Sequence, residues 1–141
     1  MDLNRFIEAQ EEEYAQALSE IKRGRKRSHW MWYIFPQLKG LGSSHMAQHY
    51  GIANRAEAEA YIQHPVLGPR LIEISQALLK LPTSNATAVM GSPDDLKLRS
   101  CMTLFATLDA SDPVFQRVLD KFYQGEADAQ TLRLLNQSGR E

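Results

Sequence analysis

One cysteine, Cys101, stands in 141 residues. It has no partner for an internal disulfide, and a lone thiol excludes a cysteine-rich zinc site. No apolar run approaches the roughly 18 residues that a membrane span needs. The opening stretch MDLNRFIEAQEEEY carries acids where a secretory leader would place cations and then an apolar run. These absences predict a cytoplasmic setting without membrane contact. Neither sign of charge dominates: sixteen Lys and Arg stand against seventeen Asp and Glu. Any attraction for a polyanion must therefore come from a local patch. There is no alternating strand pattern, no fixed-period repeat and no Pro/Gly/Ser linker. The nucleophile-elbow, phosphate-loop and dinucleotide fingerprints are also missing, so no cofactor is expected.

What is present is helical periodicity. The chain is 43% hydrophobic and 23% charged, enough apolar content to order a single core. Phe6, Gln10, Tyr14, Ala17, Leu18 and Ile21 recur at steps of three and four, predicting an amphipathic helix over residues 3–23 that Gly24 ends. Asn54 and Glu57 form a capping-box pattern before AEAEAYIQ, which His64-Pro65 closes. A helix over 66–81 follows, stopped by Pro82. SPDDLKLRSCMTLFATL predicts another, with Ser92 as N-cap, Pro93 in the first turn and Asp94 and Asp95 against the helix dipole. Asp112-Pro113 opens a helix that Gly125 closes, and residues 128–136 form a last short one. The expected fold class is all-α: a compact multihelical single domain over 1–141, with an irregular segment around residues 24–52.

That irregular segment holds the densest chemistry, GRKRSHWMWYIFPQ. Lys22 and Arg23 suit the negative end of the first helix. Arg25, Lys26 and Arg27 have no such account. They precede Ser28, a candidate N-cap for a helical turn through HWMWYIF, where cations are disfavoured and an anion would relieve the conflict. Trp30, Trp32, Tyr33 and Phe35 cannot all face one way, in helix or strand. Some are core, and one or two rings are expected beside the cations.

His45 and His49 are one helical turn apart, but no third ligand accompanies them, so no metal is expected. His29 and His64 each sit beside a chain break and are weak proton-transfer candidates. Asp94 and Asp95 read as helix-start residues before they read as an acid/base pair, although Asp94 is kept as a weak catalytic candidate. Lys97 and Arg99 lie on different faces of the same helix. Cys101, among Leu98, Met102 and Phe105, reads as core.

Four separated segments, GRKRSHWMWYIFPQ, MAQHYGI, HPVLGPRL and GSPDDLKLRSCMTLF, resemble the hallmark stretches of the bacterial DUF1810 family, a domain of unknown function. The resemblance runs from RFIEAQ to TLRLL. It implies a mainly α-helical single domain. It also implies recurrent polar positions at Arg25, Lys26, Ser28, His29, Trp30, Trp32, Gln37, Tyr50, His64, Asp94, Asp95, Lys97 and Arg99, without assigning any of them a role. Relatives are sometimes labelled calpastatin, after a disordered inhibitor, and helical periodicity of this strength does not fit that label.

The expected function is a small-molecule pocket for an anionic, planar, nucleotide-like ligand. Arg25 and Lys97 would meet the anion, Trp30 or Trp32 would stack, and Gln37 and Tyr50 would orient, with Lys26, Ser28, His29 and Arg99 nearby. A hydrolase or transferase acting through His29 or Asp94 is the second reading. An RNA- or protein-interaction module using the basic run is the third.

Overall fold

Most apolar residues here recur at helical spacing, and burying those stripes against one another dictates the architecture. The computed structural model describes residues 2–138; the expectation of one domain over 1–141 also covers residues 1 and 139–141, which lie outside that range. Nine helices are found among the described residues: α1 (Asn4–Lys22), α2 (Met31–Ile34), α3 (His45–Tyr50), α4 (Arg55–Gln63), α5 (Leu67–Leu79), α6 (Ala86–Met90), α7 (Asp94–Ala106), α8 (Pro113–Tyr123) and α9 (Ala129–Ser138). No strand occurs among them. A single parallel bridge between Leu38 and Ile52 is the nearest approach to one.

The core lies around α7, whose residues Cys101, Met102, Thr103, Leu104 and Phe105 are all buried. Apolar side chains on every side of this helix let it pack against α8, α6, α9 and α4. Rings run through the interior from Phe6 to Tyr61 at 5.1 Å, from Tyr61 to Phe105 at 5.5 Å and from Phe105 to Phe115 at 5.7 Å. The first of these contacts is edge-to-face, the geometry that ring quadrupoles favour.

The expected α4 cap forms. The Asn54 side chain accepts from Glu57 N–H, while Glu57 Oε1 accepts from Ala53 N–H and from Arg5. Two expected caps do not form. α2 begins after Trp30, which holds the cap position in place of Ser28, with no side-chain cap; the Ser28 hydroxyl accepts from Gln16 Nε2 and donates to Glu20. α7 begins at Asp94 with Pro93, not Ser92, in the cap position, and Asp95 N–H is taken up by Gly91 C=O.

The irregular segment holds α2 and α3 joined by a loop. Its ends are pinned where Lys39 N–H donates to Ile52 C=O and Ile52 N–H donates to Gln37 C=O. Those two bonds set α3 down beside α2. No described helix is long and apolar enough to cross a membrane.

Candidate functional site

A buried carboxylate organises the basic-aromatic stretch, although it lies outside it in sequence. Glu20, near the end of α1, is 6% exposed. Its Oε1 accepts from Arg27 N–H at 2.7 Å, Ser28 N–H at 3.0 Å and Trp30 Nε1–H at 2.9 Å, and its Oε2 accepts from the Ser28 hydroxyl at 2.6 Å. Burial pushes its pKa upward, but these donors outweigh burial and hold it at about 2. Glu20 is thus an internal anion for the loop after α1, supplied by the chain itself. This accounts for two of the residues expected to face a ligand: Ser28 is bound to Glu20, and Trp30 is fully buried with its N–H satisfied.

Lys26 is also drawn inward. Its backbone N–H donates to Val89 C=O, and its ammonium lies 2.9 Å from Asp94 Oδ2 and 4.9 Å from the centre of the Trp30 ring. Asp94 is shared. Lys97, one helical turn on, reaches Asp94 Oδ1 at 3.7 Å, and its ammonium stands 5.6 Å from the Trp32 ring. Two lysines therefore flank one carboxylate, and the closer and more buried one, Lys26, holds it.

Two depressions meet at Lys97. One is a slot lined by Met31, Trp32, Phe35, Gln37, Ala47, Tyr50, Gly51 and Lys97, with about 10 Å³ of free space, roughly one water. The other is an open hollow of about 300 Å³ lined chiefly by Gln37, Leu41, Leu96, Lys97, Arg99 and Asp128. Gln37 and Lys97 belong to both.

Of the residues singled out from the sequence, Trp32, Gln37, Tyr50 and Lys97 line the slot and Arg99 lines the hollow. Arg99 is partly spoken for: its guanidinium donates to Glu126 C=O at 2.9 Å and Ala127 C=O at 3.0 Å, tying down the turn between α8 and α9. Arg25 and His29 are exposed and line neither depression, so the expected anion contact of Arg25 and the expected proton transfer by His29 have no place there. Asp94 spans two ammonium groups, the position of a charge-balancing residue. His64 Nδ1 accepts from Val66 and Leu67 N–H, capping α5, and so is not free to relay a proton through that atom. His45 and His49 lie nearly parallel at 6.2 Å between ring centres, and no group of three metal-ligating side chains occurs among the described residues.

Sequence reasoning did not single out Gly51, Leu41, Leu96 or Asp128. Gly51 is readable in retrospect: a Cβ there would stand 2.8 Å from Lys39 Cα. A side chain would break the loop closure that brings α3, with Tyr50, to the slot. Leu96 is 59% exposed at the rim of the hollow, out of place for a large apolar residue.

Residues 1–135 match the description of DUF1810, a protein of unknown function. A solved structure, that of the conserved hypothetical protein Rv1873 from Mycobacterium tuberculosis, is similar to this chain. The two share 47% sequence identity and superpose with a TM-score of 0.93 over 96% of each chain. No curated protein matches.

Proposed function

The chain belongs to the DUF1810 family, and from that premise we propose that it is a cytoplasmic protein that binds a small anionic, planar molecule of nucleotide-like chemistry in the hollow beside Lys97. The observation that carries the reading is the two-lysine, one-carboxylate arrangement. Lys26 and Lys97 share Asp94, and Lys97 is the more distant and more exposed partner, leaving ammonium donors for an anion at the mouth of the groove. Trp32 supports that position from below through its ring face. Gln37, which lines both depressions, supplies an amide to orient the bound group.

The slot is too narrow for an aromatic ring, so Trp32 positions Lys97 and the ligand's flat body lies in the hollow against Leu41 and Leu96. At about 300 Å³ the hollow is at the small end of ligand pockets. The single buried thiol, Cys101, asks for no oxidising compartment.

The test is a thermal-shift and calorimetric screen of nucleotides and phosphorylated metabolites on the native protein, Lys97→Ala and Arg25→Ala. A binder at about 100 times its Kd stabilises by ~2.7 kcal/mol, a rise of several degrees in Tm. That rise is expected in the native protein and in Arg25→Ala, and is expected to be lost in Lys97→Ala. An equal rise in Lys97→Ala, or no rise with any compound, removes the proposal.

A further inference from the structure

The residues that the groove leaves out form a second surface. From Arg25 to Trp30 the chain alternates: Lys26 is turned to Asp94, Ser28 to Glu20 and Trp30 to the core, while Arg25, Arg27 and His29 are exposed. Lys22 and Arg23, at the end of α1, are exposed as well. None of Lys22, Arg23, Arg25 or Arg27 takes part in an ion pair among the described residues. The nearest acid in sequence, Glu20, is turned inward and enclosed by its own donors. The loop that carries the arginines is clamped at successive backbone groups: Arg25 N–H on Glu20 C=O, Lys26 N–H on Val89 C=O, and Arg27 and Ser28 N–H on the Glu20 carboxylate. The cations are therefore held on an ordered backbone, and binding does not have to freeze it.

We infer that this rim, Lys22, Arg23, Arg25 and Arg27, is a binding surface for the phosphate backbone of nucleic acid. Three of the four cations are guanidinium groups, whose planar forks fit phosphate oxygens. No large apolar side chain is exposed in this stretch; Val66, Leu96 and Leu132, the exposed ones among the described residues, lie elsewhere in the sequence. Beside Lys22 and Arg23 only Ala15 and the half-buried Leu18 line an open hollow, so a protein partner would find little apolar surface to bury, and a bilayer no exposed large apolar side chain to insert. A backbone polyanion needs neither. Neither tryptophan of the stretch is offered for stacking on bases, since Trp30 is fully buried and Trp32 lies under Lys97. Binding is thus electrostatic and indifferent to sequence. The overall charge of −1 does not oppose this, because, apart from the inward-turned Glu20, the acids of α1, Glu8, Glu11, Glu12 and Glu13, belong to its first half, while the cations lie at its end and just beyond. This surface does not depend on Lys97 or on the groove, so its failure leaves that reading untouched, and the reverse.

The experiment measures fluorescence anisotropy of a labelled uridine dodecamer against the full chain between 50 and 200 mM salt, for the native protein, Arg25→Ala/Arg27→Ala and Lys97→Ala. Four phosphate contacts give a slope of log K on log salt of about −2.8, roughly a 50-fold weakening over that range. Loss of two contacts leaves a slope of about −1.4, about sevenfold. Lys97→Ala should bind as the native protein does. Because Arg25 and Arg27 are exposed, the double variant should keep the native Tm, and charge reversal at both positions should abolish binding. No binding at 50 mM salt overturns the inference, as does a slope unchanged in the double variant. Equal or tighter binding to polyglutamate or to phosphatidylglycerol vesicles overturns it in favour of an acidic protein or an anionic membrane.

Discussion

Glu20 shows at the scale of one residue how a sequence misleads. On a helix between Ser19 and Ile21 it is one more carboxylate, yet it accepts four hydrogen bonds from the loop that follows. Its folded pKa of about 2 lies below the ordinary 4.5, so the unfolded chain binds its proton more readily than the folded one. Its contribution to stability is therefore complete above about pH 4.5 and is lost as pH falls toward 2. Glu20→Gln is expected to lower stability at neutral pH by on the order of 3 kcal/mol. The gap to the native protein should shrink as pH falls through that window, as read by urea unfolding at a series of pH values. A gap independent of pH would mean that the ionised carboxylate is not what holds the loop. Lys26, Ser28 and Trp30 were legible in the sequence as a concentration of unusual chemistry. That Ser28 and Trp30 bond to Glu20 and that Lys26 pairs with Asp94 was not legible, because Glu20 lies ten residues before Trp30 and Asp94 belongs to a distant helix, so nothing local pairs them.

Elements were more readable than sites. Asn54, Asp112 and Gly24 act through bonds and torsions within a few residues of themselves, so their signals survive in the linear chain: Asn54 and Asp112 cap α4 and α8, and Gly24 turns the chain at φ +84° after α1. Ser28 and Ser92 carry the same kind of signal and do not cap. Ser28 was claimed by a buried carboxylate from another element, and at the start of α7 it is the Gly91 carbonyl that accepts from Asp95 N–H. Gly68 illustrates a different dependence. It sits in the first turn of α5, where Gly→Ala ordinarily gains some 0.5–1 kcal/mol. Here a Cβ would stand 2.0 Å from Ile62 O of α4, a backbone atom that cannot swing aside. Gly68→Ala is expected to reverse that sign and cost about 3 kcal/mol, the upper end of overpacking, measured as a fall in the denaturant midpoint at constant m-value. A neutral or stabilising result would show that α4 and α5 can separate.

For the molecule as a whole, α7 is the organising axis, and Cys101 lies in its buried run, 0% exposed and without a partner thiol. Burial pushes its thiol pKa upward, so both access and thiolate formation are denied in the folded state. A thiol reagent is expected to leave Cys101 unmodified under native conditions and to react along the same urea transition that circular dichroism follows, since reaching it requires global opening. Modification well before that transition would reveal a local opening of α7. The same axis places Lys97 at the groove and Asp94 between the lysines, and turns Arg99 toward the α8–α9 turn.

The sequence by itself determined the helical class, most helix ends and the separation of polar from apolar faces. These follow from spacing, capping and backbone freedom, which act over one or two turns. The tertiary structure decided which members of the basic-aromatic stretch face inward. That outcome depends on where Glu20, Asp94 and Val89, distant in the chain, come to rest against it. It split one cluster into an inner set that binds the chain to itself, a lysine at the edge of a groove and a rim of exposed arginines, because a buried charge must find its partner wherever the fold delivers one.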